Sequence, residues 1–153
     1  MRTFWIFMMN IEELVDQMTA YLAQRPAGLS PEPCPELQIA DTNAAFLAEF
    51  GHALPDAYLR ILRRANGVMH NGLTVWPASS EPLFRETIVE ANRDLRETFS
   101  DAYLYFGHRD EELYVFDVAA GRWCAIEFVG MPEWMRFASA DEMCQFMLTR
   151  AWG

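Results

Sequence analysis

The apolar positions of this chain recur every three or four residues up to about residue 65, and beyond about residue 72 they alternate or run together in short blocks. The segment IEELVDQMTAYLAQ, which follows Asn10, places Ile11, Leu14, Val15, Met18 and Leu22 on one stripe, with Asn10 as N-cap and Glu12 and Glu13 in the first turn. This predicts a helix ended by Pro26 and Gly28. The stretch PAGLSPEPCPE holds four prolines, so 26–40 is expected to run as an extended surface loop. A short helix capped by Asp41 or Thr42 should reach Phe50 and stop at Gly51, where a left-handed residue is wanted. Pro55 suits the first turn of the next helix. Leu54, Tyr58, Ile61, Leu62 and Ala65 give it an apolar face, and Asn66-Gly67 closes it.

The second half reads as sheet. GLTVWP (72–77) predicts a short strand, 81–99 a long helical stretch, and YLYFG (103–107), ELYVFD (112–117) and RWCAIEF (122–128) three further strands. Between the last two, AAG fits a hairpin with Gly121 at the special position. Ser139 or Asp141 caps a closing helix, DEMCQFMLTRAW, with Met143, Phe146, Met147 and Trp152 facing inward. Helices, then consecutive strands, then a helix is the order of an α+β fold with one sheet covered on one face. With no internal repeat or low-complexity tract, 1–153 is expected to be one domain.

Composition agrees with that picture. A chain of 153 residues buries about 68 to 70% of its unfolded surface, enough for a core without a staple. Cys34, Cys124 and Cys144 are odd in number and widely spaced, so they read as buried free thiols in a reducing compartment, and the expected location is the cytoplasm. The opening MRTFWIFMM has an apolar run too short for a signal peptide or a membrane span. Met8 or Met9 is expected to be the native start, with 1–7 an accessory or ill-ordered segment.

The net charge is −10, and all twelve basic residues are arginine. Such a surface repels phosphate and anionic lipid, which argues against nucleic acid and membrane, and steers a basic partner inward.

Catalytic spacing is missing. His52, His70 and His108 stand far apart with no metal-ligand spacing, no Gly-x-Ser-x-Gly elbow occurs, and the glycines are scattered as turn residues. No metal, cofactor or enzymatic activity is therefore expected. His108 stands out among the histidines because it sits with Arg109 and Asp110 in the turn after a strand. One cluster rises above background. Glu86, Glu90, Asp94, Glu97 and Asp101 follow at intervals of three or four, which stacks five carboxylates along one side of a helix and its exit, offset in part by Arg93 and Arg96. Asp110, Glu111 and Glu112 form a second acidic cluster between two strands. Both read either as solvated polar surface or as a docking face for a cationic partner.

The segment from Leu54 to Gly67, LPDAYLRILRRANG, resembles the LP-x-x-Y-x-x-x-L-x-x-x-NG signature of the SUKH superfamily, the Smi/Knr family. In that resemblance Leu54 and Leu62 are core contacts, Pro55 the helix start, Tyr58 a packed ring, and Asn66-Gly67 the turn into the first strand. The order of later pieces is similar too: a short strand ending at Trp76, a strand ending in glycine (YLYFG), ELYVFD, and a Ser-capped final helix. The chain departs from the pattern at 108–112, where HRDEE replaces the usual glycine-and-aspartate turn. The resemblance implies a mainly antiparallel sheet of about five or six strands with helices packed against it, and a role in binding protein. Bacterial relatives are commonly immunity proteins that neutralise a polymorphic toxin, often a nuclease or deaminase domain. A basic toxin domain is thus the expected partner. A housekeeping regulatory module of the same fold, and an enzyme whose residues converge only in three dimensions, are the alternatives.

Overall fold

A computed structural model describes residues 9–25, 30–130 and 132–152. The expectations for 1–7, for Met8 as a start, and for Pro26 and Gly28 as helix breakers lie outside the described residues. Helix α1 (Ile11–Ala23) opens as its sequence requires: the Glu13 amide donates to Asn10 Oδ1 at 2.8 Å, and the Asn10 amide donates to Glu13 Oε1 at 3.2 Å. It buries Ile11, Leu14, Val15 and Met18.

Helix α2 (Glu36–Phe50) starts before the expected Asp41 or Thr42. Pro35 is its N-cap, with a backbone already extended at φ −60°, and makes no side-chain cap bond. Thr42 is an interior residue of the buried stripe Ile39, Thr42, Phe46. The proline-rich stretch is accordingly shorter than 26–40, and its described part is tied down: the Cys34 amide donates to the Leu62 carbonyl and the Asn66 amide to the Glu32 carbonyl. Gly51 ends α2 in the left-handed region at φ +78°. Helix α3 (Asp56–Arg64) follows Pro55 and buries Ala57, Tyr58, Ile61 and Leu62.

Six strands form one antiparallel sheet in chain order: β1 (Val68–His70), β2 (Leu73–Val75), β3 (Tyr103–Arg109), β4 (Glu112–Asp117), β5 (Arg122–Glu127) and β6 (Glu133–Phe137). Helix α4 (Ile88–Thr98) lies between β2 and β3 in the chain, and α5 (Ala140–Arg150) closes it behind the Ser139 cap. The expected helix over 81–99 is shorter at its start. Thr87 and Glu90 form a reciprocal cap there, and 81–87 turns instead, with the Phe84 amide on the Glu81 carbonyl.

Helix α5 lies over one face of the sheet, and α4 joins the open edge of β3 beyond the end of β2, where the Asn92 side chain bonds the Tyr105 backbone. Gly107, across from Val75, lies under α5: a Cβ there would stand 2.7 Å from Met147 Sδ. Tyr105 precedes the irregularity between 105 and 107, so its side chain points the other way, and its hydroxyl donates to the Ser100 carbonyl just past α4. On that second face Met69 pairs with Thr74 and Thr74 with His108, so all three side chains project together.

The residues from Leu54 to Gly67 hold the stretch after β2. Leu54 and Leu62 are buried in the core. Tyr58, fully buried, donates its hydroxyl to the Trp76 carbonyl. Asn66 accepts the Ala78 amide at 2.8 Å and donates to Ser79 Oγ at 3.0 Å. Gly67 takes φ +96°, and a Cβ there would stand 2.8 Å from Phe84 Cζ.

Candidate functional site

Helix α4 is anchored by its arginines in a way that strips the acidic stripe of its counter-charges. Arg93 turns to α2 and meets Glu49 through Nε and Nη2 at 2.7 to 2.9 Å, which holds the Glu49 carboxyl below its ordinary range. Arg96 donates to the Tyr103 carbonyl at 2.7 Å and lies over the Phe50 ring. Glu90 is occupied in the cap of α4. Glu86, Asp94, Glu97 and Asp101 make no ion pair among the described residues. Elsewhere carboxylates do find arginine: Glu12 and Asp141 on Arg60, Glu36 and Asp56 on Arg63, Asp16 on Arg64, Glu133 on Arg122 and Arg136.

The second acidic cluster divides. His108 and Arg109 are still part of β3, so the turn is narrower than expected, and Asp110 makes it with φ +53°. Asp110 and Glu111 are exposed. Glu112 is half-buried and already paired: it meets Arg150 of α5 and accepts the Tyr114 hydroxyl at 2.5 Å. Its charge is matched within the fold.

A cavity of ≈ 560 Å³ opens on the second face of the sheet. Met69, Thr74 and His108 supply its sheet side, Trp76 and Phe84 add aromatic wall, and Arg85, Glu86 and Asp94 complete the lining. Of the eight carboxylates singled out from sequence, Glu86 and Asp94 come together here; Glu90, Glu97, Asp101 and the three of the β3–β4 turn do not line it. Burial, then Asp94, then Glu90 push the Glu86 carboxyl above its ordinary range, with Arg85 acting in the opposite direction. Burial pushes the His108 imidazole down, against a smaller upward pull from Asp110, so it is neutral at pH 7. Its ring sits 5.5 Å from that of Trp76, which is buried.

Sequence reasoning missed Met69, Thr74, Trp76, Phe84 and Arg85 as site residues. Five separate segments contribute to the lining, and only strand register and the turn at 81–87 bring them together. The available signals were the acidic spacing, which holds Glu86 and Asp94, and His108. His52 lies beside Phe116, and His70 packs against Tyr21 and Trp152, away from this cavity. Among the described residues no group of three His, Cys, Asp or Glu side chains is placed to hold a metal ion. All three cysteines are free and buried. No helix among the described residues is long and apolar enough to cross a membrane.

No curated protein matches the chain in sequence. A family model does. It spans residues 33–148, from just before α2 almost to the end of α5, and so takes in the Leu54 to Gly67 segment, every strand and the cavity between them. By that match over three quarters of its length, the chain belongs to the SMI1 / KNR4 family (SUKH-1).

Proposed function

We propose that the protein is an immunity protein, a binding module that neutralises a basic nuclease or deaminase toxin domain by direct contact in the cytoplasm. The observation that carries this reading is the set of carboxylates on α4 and its flanks, Glu86, Asp94, Glu97 and Asp101, left without ion pairs among the described residues while Arg93 and Arg96 are drawn to α2 and β3. Like charges on one helix side destabilise it slightly, whereas a cationic surface docked against them turns the repulsion into attraction. Asp110 and Glu111 lie at the end of the strand that carries His108 and extend the same sign of potential. Family membership and a net charge of −10 support the same partner class.

Co-expression with the toxin encoded beside it tests the reading. Growth should be restored and the two proteins should co-elute; unchanged toxicity with no complex refutes it. Replacing Asp94 and Glu97 by lysine should slow association and weaken its salt dependence. Glu90 is left in place because its side chain closes the helix cap.

A second reading has its own observation, since His108 shares a cavity with Glu86 and Asp94 as an acid–base site would. Against it, no hydrogen bond joins His108 to either carboxylate among the described residues. A catalytic His108 would make His108→Ala lose protection while the toxin still co-elutes. Full protection by that variant removes this reading.

A further inference from the structure

The cavity beside α4 is more specific than the acidic surface around it. We propose that it is the receptor for one basic side chain, a guanidinium or ammonium group presented by the protein partner, held between the Glu86 and Asp94 carboxylates and the aromatic walls of Trp76 and Phe84. This deepens the binding role argued above and rests on it for the source of the cation.

Three features select a cation. Two carboxylates line the cavity with no arginine paired to them among the described residues, and Glu86 is partly desolvated and repelled by Asp94 and Glu90, a cost that an arriving positive charge would reverse. Trp76 and Phe84 bring ring surfaces, which attract cations and cover the apolar stem of a lysine or arginine. His108 at neutral pH adds no competing charge and has an acceptor nitrogen to offer. An anion would meet the carboxylates, and an apolar ligand would bury them unpaired. At ≈ 560 Å³ the space admits a whole side chain. A partner side chain is favoured over a free metabolite because Asp94 belongs both to the cavity and to the exposed stripe on α4. A basic surface laid along that stripe delivers its side chain to the opening.

Arg85 is the opposing group. It is exposed, makes no ion pair among the described residues, and its charge partly occupies the field the ligand would use. Its removal should therefore strengthen the site, an effect that a loss of folding cannot imitate.

The test titrates the intact protein with N-acetyl-arginine methylamide, and with the neutral N-acetyl-citrulline methylamide as control, following the Trp76 indole and His108 imidazole NMR signals. A probe of this size should bind with Kd on the order of 1 mM. Saturable shifts are expected with the arginine probe alone, about tenfold weaker binding in Glu86→Gln and Asp94→Asn, and tighter binding in Arg85→Ala. No saturation by roughly 50 mM, equal shifts with the citrulline probe, or unchanged affinity in both carboxylate variants would overturn the proposal. A toxin complex that forms with unchanged affinity in those variants also overturns it and leaves the immunity reading standing. An arginine site without any toxin complex does the reverse.

Discussion

Asn92 offers the sharpest test of how α4 is held to the sheet. Strand β2 ends at Val75, opposite Gly107, so no strand lies beside Tyr105 on that side. The Asn92 side chain stands in for it. Its Oδ1 accepts the Tyr105 amide at 2.8 Å and its Nδ2 donates to the Tyr105 carbonyl at 2.8 Å, with a further bond to the Ile88 carbonyl at 2.9 Å. Asn92 is 0% exposed, so water does not compete for these groups. In Asn92→Ala both Tyr105 backbone groups lose their partner. Each unsatisfied buried group costs about 1–3 kcal/mol, and alanine's better helix propensity returns roughly 0.5 kcal/mol. The expected net loss is about 3 kcal/mol, or a fall in Tm of roughly 6–12 °C for a chain of this size. Urea unfolding followed by tryptophan fluorescence gives the free energy, and hydrogen exchange of the Tyr105 amide gives the site: protected in the parent, fast in the variant. A loss below about 0.5 kcal/mol, or an amide that stays protected, would mean that Asn92 is not what couples α4 to β3.

Other outcomes follow from single contacts. Glu86→Gln should raise stability at pH 7: the folded carboxyl binds its proton more tightly than the unfolded one, so stability declines as pH climbs from the ordinary glutamate value through the raised folded value, and the variant should lack that decline in urea titrations at several pH values. Gly107→Ala should cost about 1–3 kcal/mol by overpacking, because the new Cβ meets Thr74 O at 2.8 Å as well as Met147 Sδ, and a thermal melt equal to the parent's would contradict it. A thiol reagent should leave Cys124 and Cys144 unmodified in the native protein, since burial pushes their thiols up to about 11 and about 12, and should modify them once urea unfolds the chain.

What could be read from the sequence was what short-range chemistry decides. Asn10, Gly51, Gly121 and Ser139 each sit where a cap or a turn needs that side chain or that φ, so four element ends were legible within a residue or two. The errors have equally local causes. Pro35 starts α2 through its fixed backbone alone, with no side-chain bond, while Asp41 and Thr42 look like caps but lie inside the helix. Thr87 with Glu90 caps α4, yet the acidic spacing from Glu86 onward continues across that cap and mimics an unbroken helix. β1 has three residues, and β6 is an edge strand with Trp134, Met135 and Arg136 exposed, so neither shows the alternation that marks a half-buried strand.

The cavity was illegible for a different reason, and that reason connects the family segment to the site. Trp76 and Phe84 form its wall only because the chain after β2 is fixed in place, and the fixing groups belong to the Leu54 to Gly67 segment. Tyr58 holds the Trp76 carbonyl, Asn66 holds 78–79, and the bare Cα of Gly67 leaves room for the Phe84 ring. The carboxylate side is fixed independently, by Asn92 on Tyr105 and by Arg93 on Glu49. Two sets of buried or paired groups thus set the two sides of one opening, and none of them lines it. Residues that build such a wall are constrained by packing, whereas Arg85, Glu86 and Asp94 take no part in the bonds that fix it. The division accounts for why the family segment reveals the fold so readily while the charges mounted on that wall follow no part of its pattern.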